Sequence, residues 1–503
     1  MAPFFLIVPL ISFFLLLLTF FRTRRLHNLP PGPPCLPIIG NLHQLQQPFH
    51  RTFHTLSQTY GQIFSLRFGS RLVVVVSSSS AAQECFTRND IVLANRPSFL
   101  LGKYISYNNT TVLNSSYGDH WRNLRRILSL EVLSSHRLNT FTELRRDEVM
   151  RMMQKLARDS TCGDGGYVKV ELRLLFSEMT FNTVMRMVSG KRYYGEDCDV
   201  SEAEEARVFR EIIKEIVMLG GANNPGDFIG LLRWFDFDGL VKRLKRLGKR
   251  TDAFLQGLID EHRDGTKKCG NATTMIDHLL TQQQSQPEYY TDQIIKGLVL
   301  VMLLAGTDTS AITLEWAMSN LLNNQEVLKK EKHELDTYIG QDHRLVDEAD
   351  ISQLPYLQNI VYETLRLHPA APLLLPHVSS EDCTIGEYNI PRNTIVLVNA
   401  WAINTDPKLW SDPTCFKPER FEKEGETNKL MTFGLGRRAC PGTNLGQRTV
   451  GLTLALLIQC FEWKRTSEKE IDMTEAKGAT VPKKVSLEAM CKMRQQLGNK
   501  DIL

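Results

Sequence analysis

The sequence has no strong excess of either charge. Its 60 basic and 56 acidic side chains leave a net charge of +4 over 503 residues. It also has no zinc-finger spacing, no RNA-binding signature and no long basic tail, so we expect no nucleic-acid partner. Its ten cysteines form no CxxC pair, which argues against a disulfide scaffold and indicates a reducing compartment. With 42% hydrophobic and 23% charged residues, the chain can bury a large globular core.

The first 21 residues carry no charged side chain. At about 1.5 Å per residue, a helix of this length crosses a hydrocarbon core of about 30 Å, so residues 1–21 are expected to be a transmembrane signal anchor. A cleaved signal peptide is the alternative, but its apolar region is shorter and ends in small residues, whereas the basic stretch RTRR follows here directly. The positive-inside rule keeps that stretch, and the rest of the chain, in the cytosol.

Residues 22–37 are basic at first and then rich in proline, in the stretch LPPGPPCLP. Prolines fix φ and remove hydrogen-bond donors, so this segment is predicted to be a semi-rigid hinge, although an ordinary surface loop has the same composition. We find no internal repeat after it. The sequence therefore predicts one large domain over residues 38–503.

The residue patterns of that domain indicate a mainly α fold with a small β portion. Residues 61–78, GQIFSLRFGSRLVVVVSS, alternate in polarity and then become β-branched, which predicts a hairpin of a small sheet. Amphipathic stretches at 201–217 and 239–262 predict long helices.

Residues 291–324 form a stretch that is apolar on nearly every face. As a helix it is about 51 Å long and is predicted to run through the middle of the domain. A second membrane span is the alternative, which Lys296, Asp308 and Glu315 argue against.

The middle of this stretch, AGTDTS, contains poor helix formers. Its glycine permits a close approach to the backbone, and its hydroxyls can bond back to a carbonyl and bend the helix. Asp308 and Thr309 are an acid and an alcohol side by side. Such a pair can relay protons to a buried reacting group.

The stretch ETLRLHP places Glu363 and Arg366 on one helix face, three positions apart. Such pairs are common on helix surfaces and contribute little there. Downstream, the stretch PERF supplies Arg420. If the three side chains are buried together, they form a cluster that fixes a loop.

Cys440 lies among glycines and arginines in MTFGLGRRACPGTNLG, a setting that a cysteine filling a core does not need. One interpretation is a dinucleotide-binding loop, because GLGRRA satisfies the degenerate G-x-G-x-x-G/A pattern and Glu462 follows at the distance of a ribose-binding acid. The polar segment before it argues against a buried strand, and arginines stand where a pyrophosphate needs bare backbone.

The other interpretation makes Cys440 a thiolate ligand of a haem iron. Glycines at positions 434, 436 and 442 let the loop approach a porphyrin, and Arg438 can pair with a propionate. Backbone N–H groups at the start of the helix after Pro441 stabilise a thiolate through the local dipole. A thiolate ligand favours O–O cleavage.

Taken together, these motifs resemble the cytochrome P450 haem-thiolate monooxygenases over the whole chain. The pattern F-x-x-G-x-R-x-C-x-G is present as Phe433, Gly436, Arg438, Cys440 and Gly442. The other matching motifs are E-x-x-R at Glu363 and Arg366, the oxygen-activating AGTDTS, and W-x-x-x-R at Trp121 and Arg125.

The resemblance implies a single P450 domain that binds haem b. Cys440 would be the axial ligand of the iron, with Phe433 packed beside the thiolate and Gly442 giving the loop room. Trp121, Arg125 and Arg438 would contact the propionates.

The resemblance also implies the remaining roles. Asp308 and Thr309 would deliver protons to iron-bound dioxygen, while Glu363, Arg366 and Arg420 would hold the cysteine loop. NADPH–cytochrome P450 reductase would supply the electrons of NADPH, and the enzyme would be a single-pass protein of the endoplasmic reticulum membrane with its catalytic domain in the cytosol.

Within the family, the anchor, the LPPGPP hinge and the FGLGRRACPG loop resemble plant microsomal enzymes of the A type. The stretches CLPIIGNLHQL, WRNLRRILSLEVLSSHRL and GTDTSAITLEWAMSNLLNN are similar to the legume isoflavone 2'-hydroxylase group and its 3'-hydroxylase relatives. This similarity implies an apolar aromatic substrate, an isoflavone hydroxylated on its B ring at 2' or 3', with other flavonoids or phenylpropanoids as alternatives. The segments expected to contact it are RPSFLLGKYISYNN, MLGGANNPGDF, the region of Val301 and Leu304, PAAPLLLPH and KGATVP. A haem-thiolate isomerase or dehydratase, which would not need the Asp308–Thr309 relay, and a non-catalytic haem sensor remain as other classes.

Overall fold

The computed structural model describes residues 28–161, 166–195, 200–220, 224–233, 236, 239–265, 273–339 and 344–494. The anchor predicted at 1–21 and the basic start of the hinge lie outside these residues. The described part is mainly helical with small sheets, as the sequence predicted.

The helices occupy most of the described chain. They are α1 (Phe49–Tyr60), α2 (Ser79–Phe86), α3 (Leu100–Ile105), α4 (Asp119–Arg126), α5 (Ser135–Thr140), α6 (Thr142–Thr161), α7 (Leu172–Ser189), α8 (Val200–Gly220), α9 (Leu240–Arg263), α10 (Met275–Ser285), α11 (Asp292–Gly306), α12 (Asp308–Asn323), α13 (Gln325–Tyr338), α14 (Pro355–Leu367), α15 (Ala400–Asn404) and α16 (Thr443–Cys460). The helices predicted at 201–217 and 239–262 are confirmed as α8 and α9.

The strands form three small sheets. They are β1 (Ile63–Phe68), β2 (Arg71–Val76), β3 (Val168–Glu171), β4 (His377–Val378), β5 (Cys383–Ile385), β6 (Tyr388–Ile390), β7 (Ile395–Val398), β8 (Phe461–Arg465) and β9 (Glu488–Met493). The sheet orders are β1-β2-β7-β4, β3-β9-β8 and β5-β6.

The predicted hairpin at 61–78 is confirmed as β1 and β2, which pair antiparallel from Ile63 opposite Val76 to Phe68 opposite Arg71. Strand β1 alternates between half-buried and buried residues, as a strand with one covered face does. The valines of β2 are all fully buried, because β2 also pairs in parallel with β7 on its other edge and lies inside the sheet.

The apolar stretch predicted as one helix over 291–324 is divided at Thr307 into α11 and α12. Thr307 has φ −93° and ψ −68°, and its hydroxyl donates back to the Leu303 carbonyl at 2.8 Å. The Thr309 hydroxyl donates in the same way to Ala305 at 2.8 Å. Such bonds compete with the regular helix ladder, so the hydroxyl-rich AGTDTS sequence accounts for the break.

The two halves together, Asp292–Asn323, are long and apolar enough to cross a membrane, but the most apolar part is 72% buried inside the protein. Helix α12 packs against α7, α14 and α16. This interior position agrees with the predicted central helix and accounts for the hydrophobicity without a second membrane span.

Candidate active site

The segment around Cys440 is a tight loop that ends at the start of α16. Gly434 and Gly436 have φ of +66° and +67°, in the left-handed region that favours glycine. A Cβ on Gly436 would lie 2.5 Å from Asp90 Oδ1 and 2.6 Å from the Phe86 carbonyl oxygen, so the loop lies directly against that helix end. The loop closes with a hydrogen bond from the Cys440 N–H to the Phe433 carbonyl at 2.9 Å.

Cys440 differs from the core cysteines in its surroundings. Cys85, Cys460 and Cys491 are buried, and burial raises the pKa of the Cys460 thiol to about 12. Cys440 is exposed, and a Cβ on Gly442 would meet only the Cys440 Sγ atom, at 3.8 Å. The sulfur therefore has open space beside it. This is the accessible environment of a ligand or nucleophile, whereas the buried thiols are inert.

Arg438 turns from the same loop toward Trp121. Its guanidinium carbon lies 4.3 Å from the centre of the Trp121 ring. Its nitrogens donate to the carbonyl oxygens of Ala94 at 2.7 Å, of Val112 at 3.1 Å and of Ser115. The Trp121 indole N–H donates to the Val112 carbonyl at 3.1 Å. The predicted residues Arg438 and Trp121 are thus in contact.

Two further arginines lie near Arg438. Burial lowers the pKa of Arg438 to about 9, and the nearby charges of Arg96 and Arg125 add to this decrease. Arg96 Nε is buried without a hydrogen-bond partner among the described residues. Within the same part of the chain, Arg96, Arg125 and Arg438 form no ion pair with a carboxylate. Three clustered cations without an acid fit an anionic group between them.

Cys440 lies close enough to this cluster for a thiolate there to act on Arg125. Burial lowers the pKa of Arg125, and a thiolate at Cys440 opposes that decrease. The exposed Cys440 sulfur therefore lies close to a cluster of arginines that has no acidic partner among the described residues. A haem, with a metal that takes a thiolate and propionates that take arginines, fits both features.

One side of the break between α11 and α12 is accessible. Ala305 is exposed although it lies within an apolar helix, and Thr309 is half-buried next to it. Asp308 is a neighbour of Thr309, but its Oδ2 atom accepts a hydrogen bond from the Thr480 hydroxyl at 3.1 Å. Burial raises the pKa of Asp308, whereas the Thr480 bond and the charge of Arg173 oppose this increase.

The predicted Glu–Arg–Arg cluster is present and buried. Arg366 donates to both oxygens of Glu363 at 2.7 Å, and both side chains are fully inaccessible. Arg420 Nε donates to Glu363 Oε1 at 3.0 Å. Since each arginine also donates to nearby backbone carbonyls, the charges are both paired and hydrogen-bonded, which a buried ion pair requires.

Asn404 connects this cluster to the cysteine loop. Its carbonyl accepts from Arg366 Nη1 at 2.8 Å, its side-chain oxygen accepts from the Met431 N–H at 2.9 Å, and its amide donates to the Thr432 hydroxyl at 2.9 Å. Thr432 in turn donates to the Leu365 carbonyl at 2.8 Å. The segment just before Phe433 is therefore attached to α14 and α15.

A model of the cytochrome P450 family matches residues 30–489, which is most of the chain. The chain belongs to the cytochrome P450 family. Members of this family carry haem, and the open Cys440 sulfur and the arginine cluster are the features of this P450 that fit it.

Three similar relatives come from plants. It is 74% identical over 497 residues to a protein named cytochrome P450 81E8 of Medicago truncatula, covering 98% of each chain. It is 66% identical to an isoflavone 3'-hydroxylase of Medicago truncatula, with 93% of each chain covered. It is 62% identical to an isoflavone 2'-hydroxylase of Glycyrrhiza echinata, with 94% of this chain and 93% of the relative covered.

The structure does not support the dinucleotide interpretation of GLGRRA. The segment before it contains the 3-10 turns Pro418–Glu422 and Glu426–Lys429 and no strand. Glu462 lies on β8, where it accepts a hydrogen bond from the Tyr167 hydroxyl at 2.9 Å.

Several segments predicted to contact substrate touch one another in this P450. Leu100 N–H donates to Asp227 at 2.7 Å, which joins the segment around 96–109 to the segment after α8. Val481 N–H donates to the Ala370 carbonyl at 2.9 Å, which joins KGATVP to PAAPLLLPH. Two pairs of the predicted segments are therefore in contact with each other.

From the sequence alone, Asn404 was not singled out, and Arg96 and Thr480 appeared only within segments expected to contact substrate. Arg96 stands alone in the ordinary stretch NRPSF, and its partners Leu375 and Pro376 are about 280 positions away. Only the fold brings them together. The asparagine before TDP and the threonine of KGATVP carry no spacing signal of their own.

Proposed function

We propose that this P450 is an NADPH- and O2-dependent monooxygenase that hydroxylates the B ring of an isoflavone at the 2' position. The observation that carries the proposal is the open Cys440 sulfur beside an arginine cluster that lacks an acid. The substrate class rests on the relatives named isoflavone 2'- and 3'-hydroxylases. NADPH supplies two electrons, one oxygen atom enters the product and the other leaves as water.

Haem b would be held by the Cys440 sulfur on its iron and by Trp121, Arg125, Arg438 and the additional Arg96 at its propionates. When bound, it supplies the redox chemistry that activates dioxygen. The chain then has to exclude water, orient the substrate and deliver protons.

Asp308 and Thr309 are the residues that would move protons. Burial raises the pKa of Asp308 and so increases the fraction that holds a proton. The Thr309 hydroxyl now donates to the Ala305 carbonyl, so rotation about one side-chain bond could release it toward the exposed side of the break. A carboxyl and a hydroxyl next to each other can pass a proton from the interior to that side.

The substrate would be oriented by apolar groups on the open side of α11. Leu304 is half-buried and packs against the buried Val301, in one apolar cluster with Leu100 and Val112. Such a surface binds a flat aromatic molecule by contact area and holds few water molecules. One or two side chains of the cluster would decide which ring carbon is presented.

The electrons would come through NADPH–cytochrome P450 reductase, a membrane partner.

We propose that residues 1–21 anchor this P450 in the endoplasmic reticulum membrane, with the hinge at 22–37 and the catalytic domain at 38–503 in the cytosol. The plant relatives support this location.

Product analysis tests the proposed reaction. The full chain, expressed in microsomes with a plant reductase, is supplied with NADPH and with 4'-hydroxylated and 4'-methoxylated isoflavones, and the new hydroxyl is located by NMR. Hydroxylation at 2' is the expected result. If no isoflavone yields product while other flavonoids do, the substrate class is wrong.

Hydroxylation at 3' is the second candidate. The relative named isoflavone 3'-hydroxylase is 66% identical to this chain, slightly more than the 62% of the 2'-hydroxylase. A product carrying its new hydroxyl at 3' would move the assignment to that activity.

A further inference from the structure

We propose that Thr480 is a positioning residue for the proton supply, and that its hydroxyl fixes the Asp308 carboxylate in place. This inference rests on the proposed role of Asp308. The loop after β8, which carries Thr480, would then contact the substrate and also hold the Asp308 carboxylate.

The contact itself is specific. The Thr480 hydroxyl donates to Asp308 Oδ2 at 3.1 Å across 172 residues of sequence. Both side chains are half-buried, and Asp308 is the first residue of α12, directly after the helix break. A hydrogen bond to a carboxylate in such a place stabilises its charged form and selects one orientation of its oxygens.

The loop that carries Thr480 is held on both sides of this residue. Next to it, Val481 donates its N–H to the Ala370 carbonyl at 2.9 Å and accepts from the Trp316 indole at 3.0 Å. The Ala476 N–H donates to the Pro482 carbonyl at 2.8 Å, which closes the loop around Thr480. The hydroxyl is therefore presented by a constrained backbone.

The same loop reaches a segment expected to contact substrate, because Ala370 belongs to PAAPLLLPH. Arg173 strengthens the connection on the acid side. It donates to the Lys483 carbonyl at 2.6 Å, it pairs with Glu315 at 3.0 Å, and its charge favours ionised Asp308. One short loop thus touches both the substrate side and the carboxylate.

The experiment replaces the hydroxyl with a methyl group in Thr480→Val, which keeps the shape of the side chain. The measured quantities are the ratio of product to peroxide per NADPH and its dependence on pH. Without this donor, the ionised form of the half-buried Asp308 carboxylate is less stable, so its pKa should increase. The part of the pH profile that reports Asp308 should therefore move to higher pH by about one unit. Thr480→Ser keeps the hydroxyl and should behave like the parent enzyme.

Thr474→Val is the matched control. Its hydroxyl also donates to a carboxylate in the same C-terminal region, that of Asp472, but at an exposed position away from α12. This variant should leave the pH profile unchanged. A normal profile in Thr480→Val, in an enzyme with an unchanged haem spectrum, would overturn the inference.

A thermal-unfolding cycle gives a readout that does not require turnover. The midpoints of the parent, Thr480→Val, Asp308→Asn and the double variant are compared at neutral pH. Non-additive changes are expected, because the two side chains are in contact. Additive changes would mean that Thr480 acts through general packing and would overturn the proposal.

The two readouts separate this inference from the proposed function. If Asp308→Asn leaves the product-to-peroxide ratio unchanged, the relay role of Asp308 fails, and the positioning role of Thr480 fails with it even where the unfolding cycle is non-additive. If Asp308→Asn changes the ratio and Thr480→Val does not, only the role of Thr480 fails. Any substrate that is turned over serves, so the result does not depend on the isoflavone assignment.

Discussion

At the scale of single residues, Thr309 and Thr313 make the same local bond in different places. Each hydroxyl donates to the carbonyl four positions earlier, at 2.8 and 2.9 Å, but Thr309 borders the open side of the helix and Thr313 is buried. Thr309→Ala should lower the product formed per NADPH by about tenfold, with peroxide released instead, because a positioned proton donor is lost. Coupled assays of NADPH, peroxide and product measure this effect.

Thr313→Ala is the control for that prediction, since it removes an equivalent helix bond, to the Thr309 carbonyl, but leaves the Thr309 hydroxyl in place. It should change stability without changing coupling. Equal coupling in the parent and in Thr309→Ala would remove Thr309 from the relay.

Glu331 is another residue whose surroundings predict a measurable effect. It is fully buried, and burial together with the neighbouring Glu334 raises its pKa well above the ordinary value of 4.5. Below that value both the folded and the unfolded chain hold the proton. Above it the unfolded chain loses the proton first, so the free energy of unfolding decreases as the pH increases.

Glu331→Gln should therefore stabilise the protein relative to the parent by an amount that grows as the pH rises above 4.5, by up to about 1.4 kcal/mol per pH unit. Thermal unfolding across this range measures the difference. Glu326→Gln, on the exposed surface of the same helix, should give a constant difference. A constant difference for Glu331→Gln as well would show that the carboxyl is ionised in the folded state.

Residue types and spacings predicted the parts of the site that are local in sequence. Cys440, Gly436 and Arg438 lie within five positions, and their chemistry is visible without a structure. Arg96 and Thr480 could not be predicted in this way. Their partners lie hundreds of positions away, and neither residue type is unusual in a loop.

At the scale of elements, the cysteine loop depends on the attachment of its first residues. Asn404, which is fully buried at the end of α15, holds both Met431 and Thr432. Asn404→Ala should leave the Met431 N–H and the Thr432 hydroxyl without these partners and destabilise the loop by about 1–3 kcal/mol. Haem content and the thermal loss of the haem spectrum measure this change.

A double-variant cycle with Thr432→Val provides the control. The two changes should be non-additive, because each removes one partner of the same bond. Haem retention equal to that of the parent in Asn404→Ala would contradict the attachment.

The central helix shows how far a pattern predicts an element. Hydrophobicity on all faces correctly predicted an interior helix, and the poor helix formers of AGTDTS marked the irregular point. The sequence analysis nevertheless expected one continuous helix. The complete break at Thr307 depends on back-bonding by hydroxyl groups, which propensities describe only as a weak preference.

At the scale of the whole molecule, the fold brings distant parts of the chain into contact in two groups. The loop after α2, the start of α4 and the cysteine loop meet at Arg438, and the helix break meets the C-terminal loop at Asp308 and Thr480. The family resemblance predicted the fold that makes these contacts, because motifs specific in combination identify a fold. Composition and periodicity alone indicated only a large α-rich domain.

A spectrum of the reduced carbon-monoxide complex tests whether the Cys440 sulfur binds the haem iron. The reduced carbon-monoxide complex of the parent enzyme should show a red-shifted Soret band, and Cys440→Ser should lose it while keeping its helical circular dichroism. Cys415→Ser, which changes another exposed cysteine, should keep the band. A red-shifted band that persists in Cys440→Ser would contradict the account and assign the ligand to another cysteine.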